Sequence, residues 1–429
     1  MSEAAGGRRT AGAAMRQLWY VVAALFSVAF LTIVDRVCIS SAKTDMAREL
    51  GISDLAFGMV FGAFALGYAV FMVPSGWFAD RYGPRRFMTL IVILWSIFTL
   101  GTGLVSTLPL LLAVRFCFGV AEAGAFPTAA RAMYSWLPTR DRGLALGLLN
   151  TGSRLGAAIG LAVMSVSIAH LGWRWSFVLL GLLGFGWAAW WFGWFRDHPR
   201  QKPRVSPAEL ELIEAGRPQA ALVGKGETHW RALLSANSGF ILAQYFASNF
   251  AFFICFTWLL PYLRSRFALG PAEAGLYASV PLYCGACATW VSGLTVDAIY
   301  RRGRWILSRR LPAMFGFSLA AAMLIAATAM NTVTGFVACF AIATFGLDLT
   351  LSPSWTTCSD VGRRLTGTLS GAMNTLGSIG SFASSIAFPW LLGLTGDVRA
   401  YFYLAAALNV VAVVCWWRIR PDRALQTGD

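Results

Sequence analysis

Six ionisable residues stand in stretches of sequence that are otherwise apolar: Asp35, Arg36, Arg115, Glu122, Arg154 and Asp348. If those stretches cross a bilayer, each charge is costly where it stands, and charges kept at such a cost usually serve a path for ions or substrates. Asp35 and Arg36 are neighbours, so on a helix they point in different directions and need an aqueous cavity or partners on other helices. Arg115 and Glu122 are seven residues apart, two helical turns, which puts both on one face about 10 Å apart along the axis. One stripe then offers a cation toward the outside and an acid near the middle. The cation can meet an anion. The acid can take up and release a proton, because burial makes its ionised form expensive. A permanent ion-pair network, Asp35 with Arg115 above all, is the alternative. Pairing alone gives Arg36 no role, however, and a pair that breaks in each cycle would serve both ends.

Arg154 follows Asn150-Thr151-Gly152-Ser153, and Gly152, Gly156 and Gly160 form a stripe for close helix packing. Arg154 either faces a cavity or runs along that packing face. Asp348 lies five residues before Pro353, which frees backbone groups and can kink a helix. It is either a further proton site or the partner of Arg154. Tyr68, Asn150, Tyr245, Asn249, Tyr283 and Asn374 are expected at cavity depth, where they can bind hydroxyls without adding charge. A different chemistry belongs to the run from Gly76 to Arg86. Gly76 allows a tight helix end, Gly83 and Pro84 turn the chain, and Asp80 can pair with Arg81, Arg85 or Arg86 at one membrane face. A cluster of that kind latches one state and breaks in another, which is gating. Gly293-x3-Asp297 is a second copy, 217 residues on.

No clustered His and no nucleophile beside a base is visible, so no catalytic residue, and no enzyme, is expected. His170, His198 and His229 make no cluster. All eight cysteines lie in apolar blocks, and Cys284-x2-Cys287 reads as small packing residues, so no metal or cofactor is expected either.

The elements that must position these groups follow from composition. The 429 residues are 57% hydrophobic and 13% charged, against about 25% charged in soluble domains. A soluble enzyme, a nucleic-acid binder and a disulfide-rich secreted domain are excluded. The apolar residues fall in blocks of about 20, the length that crosses a bilayer as helix, and a β-barrel would need shorter, alternating strands. Twelve spans are expected, at about 18–42, 57–79, 87–107, 110–132, 143–169, 174–195, 237–263, 275–297, 308–330, 333–357, 366–394 and 400–417. No small-residue cleavage site follows the first, which is therefore expected to be retained. The fold class is an all-α membrane protein with two six-helix bundles. Residues 18–196 and 233–417 form the bundles, 197–232 a linker, and 1–17 and 418–429 the tails.

Orientation follows from charge. With both tails cytoplasmic, 26 of the 35 Lys and Arg lie in cytoplasmic segments, six outside, and three (Arg36, Arg115 and Arg154) within spans. By the positive-inside rule this settles the orientation. It also explains the net charge of +15 as a topology signal, with no nucleic-acid partner. The halves resemble each other. Gly143, Gly147, Asn150 and Gly156 in span five match Gly367, Gly371, Asn374 and Gly380 in span eleven, every pair 224 residues apart. Duplicated bundles suggest alternating access around a site between them.

The Gly76 to Arg86 run, the twelve spans and the mid-chain linker together resemble the major facilitator superfamily across nearly the whole chain. The second copy of the motif is degraded, with Ala298 where the signature has Arg, so its latch is expected to be weaker. A finer resemblance, to the anion:cation symporter family, rests on several motifs. These are Asp35-Arg36, Phe64-x3-Tyr68 before Pro74, Arg115-x6-Glu122-Ala-Gly-x2-Pro127, Thr257-Trp258-Leu259-Leu260-Pro261-Tyr262-Leu263, Ser352-Pro353-x-Trp355 with Asp360, and Gly367-x3-Gly371-x2-Asn374. That family includes bacterial proton symporters for hexonates, hexuronates and glucarate, phthalate-type carriers, and animal phosphate, sialic acid and vesicular glutamate carriers.

The resemblance implies proton-coupled uptake of an organic anion across a bacterial inner membrane. It assigns the coupling protons to Asp35 and Glu122, and charge recognition or salt-bridge switching to Arg36 and Arg115. Met72 stands where many sugar-acid carriers have Gln, and Arg154 and Asp348 have no place in the sugar-acid pattern, which leaves aromatic or short-chain carboxylates open. An exporter or facilitator of other metabolites is the competing transport function; an exporter of cations would call for a more acidic cavity. A receptor or scaffold would need a signalling domain or a long tail. The expected partners are a small organic anion, protons and the lipid bilayer, and a twelve-span bundle encloses its own path as a monomer.

Overall fold

In a computed structural model the described residues are 16–137, 142–202, 205, 207, 210, 211, 213, 235–362 and 366–423. Residues 1–15, 138–141, 363–365 and 424–429 and most of the linker lie outside them. Among the described residues, eleven helical stretches are long and apolar enough to cross a membrane. One of these, Gly147–Trp194, has 48 residues, about twice the roughly 20 that a crossing needs. It turns at Gly172, with φ 76°, so it carries spans five and six and the crossings number twelve. Spans two and three are likewise continuous, Asp54–Leu104, and turn at Gly83, with φ 76° and ψ 155°, a conformation that a side chain disfavours.

Three spans are broken, at places that prolines explain. Span four divides into Leu108–Glu122 and Ala125–Trp136. Span seven divides into Ala236–Phe253, a short 3₁₀ turn Ile254–Phe256, and Leu259–Phe267. Span ten divides into Val333–Leu349 and Leu351–Gly362. A proline has no N–H for the carbonyl four residues before it, so Pro127, Pro261 and Pro353 release the carbonyls of Ala123, Thr257 and Leu349. Each finds a donor on another span. Ser75 Oγ donates to Ala123 at 3.3 Å, Ser40 Oγ to Thr257 at 2.6 Å, and Ser292 Oγ to Leu349 at 2.6 Å. Pro389, inside the unbroken helix Thr366–Thr395, releases Ser385, and the Trp258 indole N–H donates there at 2.9 Å. With no water in the hydrocarbon, such donors keep a broken helix affordable.

The expected pseudo-repeat is visible in the packing. Gly156 of span five abuts the backbone of Phe30 in span one, and Gly380 of span eleven abuts the backbone of Phe246 in span seven. The 224-residue offset therefore reports two bundles built the same way, each closing its fifth span on its first.

The bundles meet at the end that carries Lys43. There Asp45 of span one pairs with Arg264 at 3.5 Å. The ring of Phe61 in span two meets Trp258 edge-on at 5.3 Å. Gly58 and Gly62 of span two lie against Ser385 and Phe382 of span eleven, and Gly275 of span eight lies against Ser165 of span five. Toward the linker end, a Cβ built on Gly147 of span five or Gly371 of span eleven would meet nothing within 4 Å, and Asn150 is exposed. Residues 147, 150 and 154 share one helical face, so Arg154 stands on the same side of span five as these open positions.

Candidate functional site

Arg36 and Glu122 meet. The guanidinium of span one approaches Glu122 Oε2 with Nε and Nη2 both at 3.3 Å. The carboxylate is fully buried, and the Arg36 side chain is 14% exposed. The same guanidinium lies 4.9 Å from the ring centres of both Phe64 and Tyr68. Two ring faces and one carboxylate therefore hold it, and its Nη2 is buried without a hydrogen bond of good geometry. Glu122 is the last residue of Leu108–Glu122, where the partial negative charge of a helix C-terminus disfavours a second negative charge. The break after it thus places an acid where only a counter-charge or a proton makes it comfortable.

Arg115 and Glu122 do share a face of span four. Arg115 is buried, but its guanidinium lies on the rings of Phe118, at 4.6 Å, and Phe64, at 5.3 Å. Phe64 therefore carries Arg115 and Arg36 together. Asp35 points away from Arg36, as neighbours on a helix must. One oxygen accepts a hydrogen bond from Thr99 of span three at 2.9 Å, and the other has no hydrogen-bond partner. The expected alternative, a direct Asp35–Arg115 pair, is not among the ion pairs of the described residues; Thr99 supplies the contact instead.

Some 12 Å nearer the linker end lies a second pair. Gly152 and Gly156 face Phe26 and Phe30, which sets Arg154 level with residue 28, eight residues of helix from Arg36 at about 1.5 Å each. Arg154 pairs with Asp348 of span ten, so this ion pair joins the two bundles. Of the two roles open to Asp348, partner of Arg154 is the one in place. The guanidinium also lies 4.4 Å from the ring of Phe252 in span seven. Asp348 precedes the last residue of Val333–Leu349, a helix end like that of Glu122. A Cβ on Gly285 of span eight would overlap its carboxylate, so that glycine makes room for it.

Tyr245 and Asn249 of span seven pack against span eleven close to Asn374. Tyr245 is buried, its ring edge-on to Trp355 at 6.4 Å, and Asn249 Nδ2 donates to the Tyr245 carbonyl at 2.9 Å. Both lie against Gly377 of span eleven, one turn past Asn374. Tyr283 is not brought to the cavity. It is 41% exposed and shares the outward stripe of span eight with Leu276, Val280, Trp290 and Leu294, because that face of the helix turns away from the other bundle.

The gating motif finds an unforeseen partner. Asp197, just after span six, accepts the backbone N–H of Arg85 at 2.7 Å, at the amino end of span three. Its carboxylate also packs on Gly83, where a Cβ would come within 2.9 Å. The Arg85 side chain donates to the Phe192 carbonyl at 2.9 Å, and Arg81 lies over Trp77 at 5.3 Å. Arg86 borders an apolar groove of about 760 Å³ between spans two, three and four. Gly76 is open on its free side, and the side chain of Asp80 lies outside the described residues. In the second copy Asp297 is exposed, and the pairing falls instead to Arg309 and Asp360, at 2.9 Å. Thr99, Asp197 and Phe252 are the neighbours that sequence reasoning missed. Only Asp197 gave a signal, as an acid directly after an apolar span.

Known proteins share this architecture. A profile described as Major Facilitator Superfamily matches residues 25–385. The chain is 31% identical to the probable sulfoacetate transporter SauU of Cupriavidus necator over 93% of both chains. It is 28% identical to the probable galactarate/D-glucarate transporter GarP of Escherichia coli, over 94% of this chain and 95% of the relative. It is also 28% identical to a D-galactonate transporter of Escherichia coli, over 93% and 94%. A bacterial homolog of the human lysosomal transporter Spinster, solved inward-facing and occupied, shares the fold at a TM-score of 0.74 and 20% identity, over 93% of this chain and 96% of that one. Profile and relatives are transporters rather than enzymes. On that footing this multi-pass membrane protein belongs to the major facilitator superfamily, as a secondary transporter of its organic-anion symporter type.

Proposed function

We propose that the protein takes up an organic anion together with protons by alternating access, and that the anion is a sugar acid such as a hexonate, hexuronate or aldarate. One observation carries the reading: Arg36, inside the span region, is held by the fully buried carboxylate of Glu122 while its own side chain keeps 14% exposure. An arriving carboxylate competes with Glu122 for Arg36. When it wins, Glu122 is left buried at a helix end without its counter-charge, and a proton is the simplest replacement. Anion binding and proton binding then favour each other. Asp35, with one oxygen held by Thr99 and the other free, is the second coupling acid, and Arg115 sets the field between the two. Tyr68, Tyr245, Asn249, Asn150 and Asn374 are suited to the hydroxyls of a sugar acid.

The charge distribution argues for the linker end as cytoplasmic. The contacts at the Lys43 end then close the outside, and the cavity opens inward. The same rule argues for both termini inside, for a bacterial inner membrane as the setting, and for the two bundles as domains at the boundaries expected above. One chain encloses the whole path, so a monomer suffices. A short-chain acid is the second reading, since the relative at 31% identity is named for sulfoacetate. Purified protein in liposomes, with lumenal pH recorded while a panel of sugar acids, short-chain acids and neutral sugars is added outside, tests both. Acidification driven by acids and not by neutral sugars is the expected result. Binding of an acid without proton movement would overturn proton symport.

A further inference from the structure

Two partly exposed arginines within the spans are each held by a buried acid, and the two pairs are built alike. Glu122 ends its helix, and Asp348 stands one residue from the end of its own. Each arginine also lies on aromatic rings, Arg36 on Phe64 and Tyr68, Arg154 on Phe252. Each acid keeps one buried oxygen without a hydrogen-bond partner, Oε1 of Glu122 and Oδ2 of Asp348. They differ in what they join. Arg36 and Glu122 belong to one bundle, whereas Arg154 and Asp348 come from different bundles. A single anionic group has use for one of these arginines. The second, about 12 Å along the axis and nearer the linker end, where Asn150 is exposed, is suited to another.

We propose that Arg154 is a second anion subsite and that the substrate therefore carries two anionic groups, one taken by Arg36 and the other by Arg154. The inference rests on the anion-transport reading above and adds to it the substrate's charge. As the second group docks on Arg154, it displaces Asp348, and Asp348 Oδ2 takes up a proton delivered from solvent as hydronium, which leaves as water. One O–H bond forms on the carboxyl and one breaks in the hydronium, with no other covalent change. A neutral ion pair becomes a neutral set of arginine, anion and carboxylic acid, so the low-dielectric site gains no net charge. The groups facing Asp348 leave it free to respond. Span five offers Arg154, span seven the thiol of Cys255 near Thr344, and span eight the bare Gly285. Span nine meets this part of span ten through Gly316, Leu319 and Ala320, none of which titrates. Displacement also removes a tie between the bundles, which links docking of the second group to their separation.

The test compares an aldarate with the aldonate of the same carbon skeleton, one differing from the other by a terminal acid group. Both are measured as competitors of uptake in proteoliposomes, and by thermal stabilisation of the purified protein. Wild type should prefer the diacid by about ten- to a hundredfold, the range of a hydrogen bond to a charged group. Arg154→Gln should lose that preference, weakening the diacid far more than the monoacid. Asp348→Asn guards against a folding failure in Arg154→Gln, since it frees Arg154. It should bind the diacid at least as well as wild type, with a shallower dependence of affinity on pH. A wild type that ranks both acids equally, or an Arg154→Gln that weakens both alike, would overturn the second subsite and leave anion transport standing. Failure of wild type to take either acid, or any short-chain mono- or disulfonate offered beside them, would overturn both readings.

Discussion

Replacing Glu122 by Gln should uncouple the transporter without emptying its site. The carboxylate lies 3.3 Å from the Arg36 guanidinium, where two unit charges interact by about 5 kcal/mol at an effective dielectric constant near 20. Most of that offsets the desolvation of the pair. A net difference of about 1.5–3 kcal/mol, the range for a hydrogen bond to a charged group, is what an arriving anion has to overcome. Gln keeps the shape and a carbonyl acceptor but gives up the charge and the proton. Two consequences can be measured together. At a pH where Glu122 is ionised in wild type, the variant should bind the anion about ten- to a hundredfold more tightly, because nothing charged competes for Arg36. In wild type, affinity should fall as pH rises, since deprotonated Glu122 reclaims Arg36; in the variant that slope should flatten. Proteoliposomes loaded with unlabelled anion should still exchange it for labelled anion, whereas addition of anion to empty vesicles should no longer acidify the lumen. Continued acidification by Glu122→Gln would refute the reasoning, and would move coupling to Asp35 or Asp348.

Three further outcomes follow from the geometry. Asp35→Asn, which keeps a partner for Thr99 but cannot titrate, should leave exchange intact and abolish accumulation against a gradient; uptake assays with and without an imposed proton gradient separate the two. Gly156→Ala and Gly380→Ala, whose new Cβ atoms would press on the Phe30 and Phe246 backbones, should each lower stability by about 1–3 kcal/mol, as overpacking does. Gly147→Ala, facing open space, should be close to neutral, with all three read as thermal midpoints in detergent. Ser292→Ala should lose about 1–3 kcal/mol by leaving the Leu349 carbonyl buried without a donor. Adding Pro353→Ala, which restores the missing N–H, should recover most of it, and a double-mutant cycle without that recovery would refute the proline account of the break.

How far the sequence carries depends on whether a feature is local. The spans were legible because twenty apolar residues in a row say the same thing in every context. The residues of interest were legible because charge in such a run is rare: Asp35, Arg115, Glu122 and Asp348 are buried, and Arg36 and Arg154 each pair with one of these acids. Their partners were not. Glu122 finds Arg36 from 86 residues away, and Arg154 finds Asp348 from 194 residues away; no spacing rule reaches across helices. The same limit explains Tyr283. Its depth in span eight was readable, but which side of an evenly apolar helix faces lipid is decided by the neighbouring spans. Turn chemistry stands between these cases. Gly83 was expected to turn the chain, and it does so with a positive φ, yet the carboxylate that fills the space left by its missing side chain comes from Asp197.

The prolines show how local and distant information combine into a site. Each of Pro127, Pro261 and Pro353 frees the carbonyl four residues upstream, in or next to a break, by chemistry that any reader of the sequence can apply. Where the freed carbonyl goes depends on the fold, to Ser75, Ser40 or Ser292. The breaks lie beside the charged groups, and this gives them a role beyond packing. Two of them create the helix ends at which Glu122 and Asp348 stand, so the backbone itself opposes a bare carboxylate at each position. The third, in span seven, follows the ring that carries Arg154 and brings the Thr257 carbonyl to Ser40 of the opposite bundle. In an uninterrupted helix the same acids would stand away from a helix C-terminus, with less need of either arginine or proton. The broken helices therefore do more than tolerate the charges: they keep each acid dependent on a partner that a substrate anion can take away.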